Sequence, residues 1–126
     1  MKGVLVDTSV WVDHFRRGNA GLAQLLSLDL VMMHPLVLGE IACGTPPQRT
    51  QTLQDLGLLQ LTQQASMLET MALIDQEALF GLGCGLIDMQ LLASTMITPG
   101  VELWTLDKRL DALAQRFGVA HQPRWH

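Results

Sequence analysis

Short apolar segments alternate with helical segments along this chain, and the alternation limits the possible folds more than any other feature. Residues 4–6, 30–33, 58–62 and 101–106 have the length and apolar character of buried strands. One or two stretches with helical spacing separate each strand from the next. Such alternation predicts an α/β fold, a three-layer α/β/α sandwich with a central, mainly parallel sheet.

Capping and stop residues set the predicted helices at residues 10–17, 20–28, 35–43, 48–56, 66–80, 86–96 and 108–117. Thr8 and Ser9 offer N-caps for the first helix, and Pro35 fits the first position of the third. A loop with three glycines, at residues 81–85, precedes the sixth helix. We expect a flexible loop there, because the third glycine of a dinucleotide fingerprint is missing and a helix, not a strand, stands in front.

Composition indicates one domain, residues 1–126, with a core of ordinary size. The 126 residues are 48% hydrophobic and 16% charged, with a net charge of −4. This balance argues against a generally basic surface for nucleic acid but allows a local basic rim. Cys43 and Cys84 lack metal-ligand spacing and are expected to be reduced thiols. We find no secretory signal and no apolar run of membrane-spanning length, and expect a cytoplasmic protein.

Four carboxylates stand beside strongly apolar stretches: Asp7 in VLVDTS, Glu40 in LVLGEI, Asp88 in GLIDMQ and Asp107 in WTLDKR. Asp7 and Asp107 follow strands and Asp88 opens a helix, so these three are expected at one edge of the sheet. Glu40 joins them only if its helix turns that face towards the edge. Because like charges ~4 Å apart repel by roughly 4 kcal/mol at an effective dielectric near 20, four ionised carboxylates need cations. Hard divalent ions such as Mg²⁺ or Mn²⁺ suit oxygen ligands.

Each acid also has a structural interpretation that the residues leave open. Asp7 could form an Asx turn, Asp88 and Asp107 could be N-caps, and Glu40 could be a surface residue that extends to solvent. The basic residues near the acids have two interpretations as well, as phosphate contacts at the rim of the site or as solvated helix ends. They are Arg16, Arg17, Lys108 and Arg109.

The segments VDTSVW, LGEIA, DMQLLAS and TLDKRL, in this order, resemble those of PIN-domain proteins, and more narrowly the VapC-type toxins of toxin–antitoxin pairs. The resemblance runs from Val4 to Val119. It implies a Mg²⁺- or Mn²⁺-dependent endoribonuclease in which metal-activated water cleaves RNA phosphodiester bonds. It also implies a homodimer held silent by a cognate antitoxin protein.

The resemblance assigns the catalytic and metal-ligand roles to Asp7, Glu40, Asp88 and Asp107, with Ser9 and Thr105 as supports. The chain departs from many relatives after Asp107, where a further acid or an aromatic is common. Here Lys108, Arg109 and Leu110 follow, and the next acid is Asp111. This departure limits the expected ligand set to four acids. The main alternative function is a PIN-like module that binds RNA or protein without cleaving.

Overall fold

The computed structural model of the chain describes residues 3–123. Its strands are β1 (Gly3–Val6), β2 (Val31–Met33), β3 (Gln60–Leu61) and β4 (Val101–Trp104). They form one sheet in the order β3-β2-β1-β4, and every pairing in it is parallel. The predicted α/β class and parallel sheet are therefore confirmed.

Seven helices surround the sheet within the described residues: α1 (Thr8–Arg17), α2 (Ala20–Ser27), α3 (Pro35–Cys43), α4 (Arg49–Leu56), α5 (Met67–Gln76), α6 (Leu86–Ile97) and α7 (Lys108–Arg116). Helix α3 contacts α1 and α4, whereas α6 contacts α5 and α7. All four residues of β1 are buried, so both faces of the sheet are covered. These layers form the predicted three-layer sandwich. In the part of the chain that the structure describes, every helix is too short or too polar to cross a lipid bilayer.

The order of the strands creates a switch point between β1 and β4. From β1 the chain adds β2 and then β3 on one side, and it later returns to place β4 on the other side of β1. Val6 pairs with Trp104, so both strands end at the same level. In open parallel sheets, ligands bind beyond the carboxyl ends of the strands at such a point.

One hydrophobic cluster fills the described part of the molecule. Val4, Leu5 and Val6 of β1 have no solvent exposure and lie at its centre. Trp11 of α1 packs into the same cluster, with its ring 5.9 Å from that of Phe15. Trp11 and Phe15 are therefore packing residues of this cluster.

Two predicted helix boundaries are wrong for identifiable reasons. Residues 66–80 were expected to be one helix, but α5 ends at Gln76. Ala78 adopts a left-handed conformation with φ of 53°, and the turn places Leu79 in the core. Thr8 and Ser9 were expected to cap α1, but Asp7 occupies the N-cap position and its side chain makes no capping bond.

Smaller differences occur at other ends. Helix α4 begins at Arg49 instead of residue 48, because Gln48 is left-handed with φ of 47°. Strand β4 ends at Trp104, two residues earlier than predicted. The tail predicted for residues 121–126 is described only as far as residue 123, and its last three residues lie outside the described range.

Candidate active site

Asp7 lies where β1 ends, directly beside the end of β4. Its backbone N–H donates to the carbonyl of Trp104 at 2.9 Å, which joins the two strand ends. Its side chain is buried, with 7% exposure. The hydroxyls of Ser9 and Thr105 donate to the same oxygen, Oδ2, at 2.8 and 2.7 Å. Because these donors are side-chain hydroxyls, the carboxylate does not form the Asx turn considered from the sequence.

The same hydroxyls connect Asp7 to the segment that carries Asp107. The Leu106 N–H donates to Oγ of Ser9, and the Asp107 N–H donates to Oγ1 of Thr105, both at 3.0 Å. Ser9 and Thr105 thus have the contacts expected of supporting residues. Their contribution to activity stays a prediction.

Asp107 is the N-cap of α7. Its Oδ1 accepts from the backbone N–H groups of Arg109 and Leu110 at 2.9 and 3.0 Å. The capping interpretation is therefore correct for this residue. The cap uses one carboxylate oxygen, and it holds the side chain at the edge where β1 and β4 end.

Glu40 turns towards the same edge from α3. Its Oε1 accepts a hydrogen bond of 2.7 Å from the hydroxyl of Thr8, the residue after Asp7. The side chain is exposed, so its apolar sequence neighbours do not surround it in space. Thr8 was predicted as an N-cap of α1 and not as a partner of Glu40. The available signal was a hydroxyl residue directly after the first acid.

Asp88 is half-buried in the first turn of α6, and the charges of all three other acids affect its pKa. Its Oδ2 accepts weakly from the Gly85 N–H at 3.4 Å. Burial raises its pKa most, and the negative charges of Asp7, Asp107 and Glu40 raise it further, although the Gly85 hydrogen bond acts in the opposite direction. Asp88 is not the N-cap considered from the sequence, because Gly85 holds that position.

The four carboxylates therefore lie near the ends of β1 and β4, where the charges of the other three act on Asp88. Each uses one oxygen for the hydrogen bonds above, and its second oxygen accepts none from residues 3–123. These oxygens do not form a closed cage: among the described residues, no three acids, histidines or cysteines are arranged to surround a cation. An open, oxygen-only set still fits Mg²⁺, which binds through one or two carboxylates and keeps several waters.

Cys84 lies near this carboxylate edge, which the sequence analysis did not anticipate. Partial burial raises the pKa of its thiol, Asp88 and Asp107 raise it further, and Arg109 lowers it. Of the other basic residues, Arg17 pairs through Nε with Asp13 at 2.6 Å, and its side chain is 78% exposed. Arg16 and Lys108 are exposed.

Comparison with known proteins identifies the family to which the chain belongs. No protein-family model matches the chain. Ribonuclease VapC32 from two strains of Mycobacterium tuberculosis is 41% identical over 117 residues, which cover 93% of this chain and 94% of the relative. The chain therefore belongs to the VapC-type family of PIN-domain ribonuclease toxins, as its motifs predicted.

Proposed function

We propose that this protein is a metal-dependent endoribonuclease, the toxin of a type II toxin–antitoxin pair. The observation that supports the proposal is the position of four carboxylates near the ends of β1 and β4, in a chain related to a ribonuclease. Residues 1–126 would act as one PIN-like domain. Asp7, Glu40, Asp88 and Asp107 would hold one or two Mg²⁺ or Mn²⁺ ions through their unpartnered oxygens.

When bound, such a cation supplies Lewis-acid stabilisation of phosphoryl oxygens and an activated water. The protein contributes position and charge. Ser9 and Thr105 fix the Asp7 carboxylate through Oδ2, and Oδ1 accepts no hydrogen bond from residues 3–123. The cap formed by Asp107 and the Thr8–Glu40 hydrogen bond orient two further carboxylates in the same way. Groups fixed before substrate arrives need no reorganisation during the reaction.

Cleavage of a labelled single-stranded RNA tests the activity. Wild-type protein should cut in Mg²⁺ or Mn²⁺ and stop when EDTA is added. Asp7→Asn should abolish cutting while circular dichroism shows an unchanged fold, because the amide removes a ligand charge and keeps the side-chain shape. Asp75→Asn is the matched control, since Asp75 is exposed on α5 and its side chain makes no hydrogen bond within residues 3–123. Full activity of Asp7→Asn would contradict the site.

The same assay separates the enzyme from the alternative, a module that holds RNA or protein without cleaving. RNA binding without cleavage in Mg²⁺ and in Mn²⁺ would support that alternative. We see no feature of the described residues that favours it, since all four acids are present and the charges of three of them act on the fourth, Asp88.

The family also supports the proposed partners, which are an RNA substrate, a cognate antitoxin and a second copy of the chain. The large apolar side chains exposed in the described region are candidates for partner contacts. Leu58, Leu68 and Phe80 are the most exposed of them, at 85%, 81% and 67%. We propose a cytoplasmic location, where RNA and the antitoxin are present. Light scattering should give twice the mass of one chain, and a single-chain mass would contradict the dimer.

A further inference from the structure

The Arg109 side chain lies across the glycine loop, which we define as Gly81–Gly85. A Cβ atom at position 83 would lie 2.7 Å from Nη1 and 2.9 Å from Cδ of Arg109, closer than real side chains approach. Gly83 also has φ of 88°, in the region that favours glycine. The positive φ favours glycine at position 83, and a Cβ there would in addition displace the flexible Arg109 side chain.

This contact holds a positive charge beside the carboxylate edge. The backbone N–H of Arg109 donates to Asp107, and its side chain reaches the loop that leads to Asp88. The Cys84 thiol senses all three charges, since Asp88 and Asp107 raise its pKa and Arg109 lowers it. Arg109 thus lies next to Asp107 and near Cys84, which is in the loop that leads to Asp88.

Within residues 3–123, Arg109 nevertheless forms no ion pair with any carboxylate. Its guanidinium also makes no hydrogen bond to the described residues, so its N–H donors are available. Arginine presents these donors as a rigid, planar fork that matches two oxygens of a phosphate. The Arg109 guanidinium is exposed and unpaired, and it lies against Gly83 near the carboxylate edge. Such a group is suited to bind an anionic ligand that passes along that edge.

We propose that Arg109, held on Gly83, binds a backbone phosphate of the RNA strand next to the bond that is cleaved. The inference rests on the proposed function and assigns a phosphate-binding residue to its site. The loop and α7 together determine where this charge lies, so Gly83 acts as its positioning residue. Arg109 would hold the strand so that the neighbouring phosphodiester reaches the four carboxylates.

The salt dependence of RNA binding tests this proposal. Each phosphate contact to single-stranded nucleic acid contributes about 0.7 to the slope of log K against log salt concentration. We would measure anisotropy of a fluorescein-labelled single-stranded RNA on the full chain, in an Asp7→Asn background that does not cut, between about 50 and about 200 mM KCl. Arg109→Gln should lower the magnitude of the slope by about 0.7.

The chain offers matched controls for both the charge and the glycine. Lys108→Gln removes an equal charge one residue earlier and should leave the slope unchanged. Gly83→Ala keeps the arginine but displaces its side chain, so it should lower the magnitude of the slope in the same direction as Arg109→Gln. Gly81→Ala introduces alanine at a similar positive φ of 73°, where a Cβ would meet nothing within 4 Å, and should leave the slope unchanged.

Three results would overturn the inference. The slope could be unchanged in Arg109→Gln, or it could decrease equally in Lys108→Gln. Either result would show that Arg109 makes no specific phosphate contact. Equal effects of the two glycine substitutions would show that Gly83 does not position the charge. If the background protein binds RNA with normal salt dependence in these cases, the ribonuclease proposal stands. If it binds no RNA at all, the proposed substrate fails as well.

Discussion

The proposed site depends most on Asp7. The hydroxyls of Ser9 and Thr105 both donate to one oxygen of its carboxylate. Thr105 is buried, donates to Asp7 and accepts from the Asp107 N–H. Thr105→Val keeps the shape and removes both bonds. We expect a loss of about 2 kcal/mol in the free energy of unfolding, because the bond to a charged group is lost. We expect at least about a tenfold loss of cleavage, as for other groups that orient ligands.

Urea unfolding and cleavage rates measure these two effects. Thr95→Val is the control, since this buried hydroxyl donates only to the Leu91 carbonyl within its own helix. It should leave the cleavage rate unchanged. An equal loss of cleavage in both variants would show that Thr105 has no specific role at the edge.

For another buried threonine, Thr62, we expect the valine substitution to stabilise the protein. Thr62 is 4% exposed, and its hydroxyl has no hydrogen-bond partner among the described residues. Replacing an unsatisfied buried hydroxyl with a methyl group removes a desolvation penalty, so Thr62→Val should raise the free energy of unfolding by about 1 kcal/mol. Urea denaturation tests this expectation, and a destabilised variant would contradict it.

At the scale of elements, His34 joins the start of α3 to α6. It is buried, and its Nδ1 accepts from the Leu36 N–H while its Nε2 contacts Oγ of Ser94, which also accepts from the Ala65 N–H. Burial lowers the pKa of His34 below its ordinary value. A proton on Nδ1 would also remove the acceptor that caps α3.

This environment predicts a loss of stability in mild acid. Between the lowered pKa and about 6.5, the unfolded histidine binds a proton that the folded one does not. The contribution of His34 to the free energy of unfolding is therefore complete above about pH 6.5 and decreases as the pH falls below that value. His34→Asn keeps a capping acceptor without titrating. Its free energy of unfolding should vary less than that of the wild type between about pH 5 and about pH 7, and an identical pH dependence would refute this.

Elements defined by local signals were predictable, and those that depend on distant contacts were less so. Proline at the first position of α3 and the serine that caps α5 fixed two helix starts. The end of α5 was not predictable, because the helical spacing continues past Gln76 and only burial of Leu79 explains the turn. His34 as a cap was also missed, since histidine is not a usual capping residue.

At the scale of the whole molecule, the strand order creates the site. The sequence predicted that Asp7 and Asp107 follow strands, but it could not show that β1 and β4 are neighbours. That adjacency depends on the crossover from β3 to the far side of β1. It places Thr105 within hydrogen-bonding distance of Asp7, 98 positions away in the chain.

Metal affinity tests the central claim, that the four carboxylates act as one site, most directly. Titration calorimetry would measure Mn²⁺ binding to the wild type and to Asp7→Asn, Glu40→Gln, Asp88→Asn and Asp107→Asn. Each substitution should weaken binding by about tenfold or more, at least as much as loss of a group that only orients a ligand. Asp75→Asn should bind Mn²⁺ like the wild type. Unchanged affinity in all four variants would contradict the shared site.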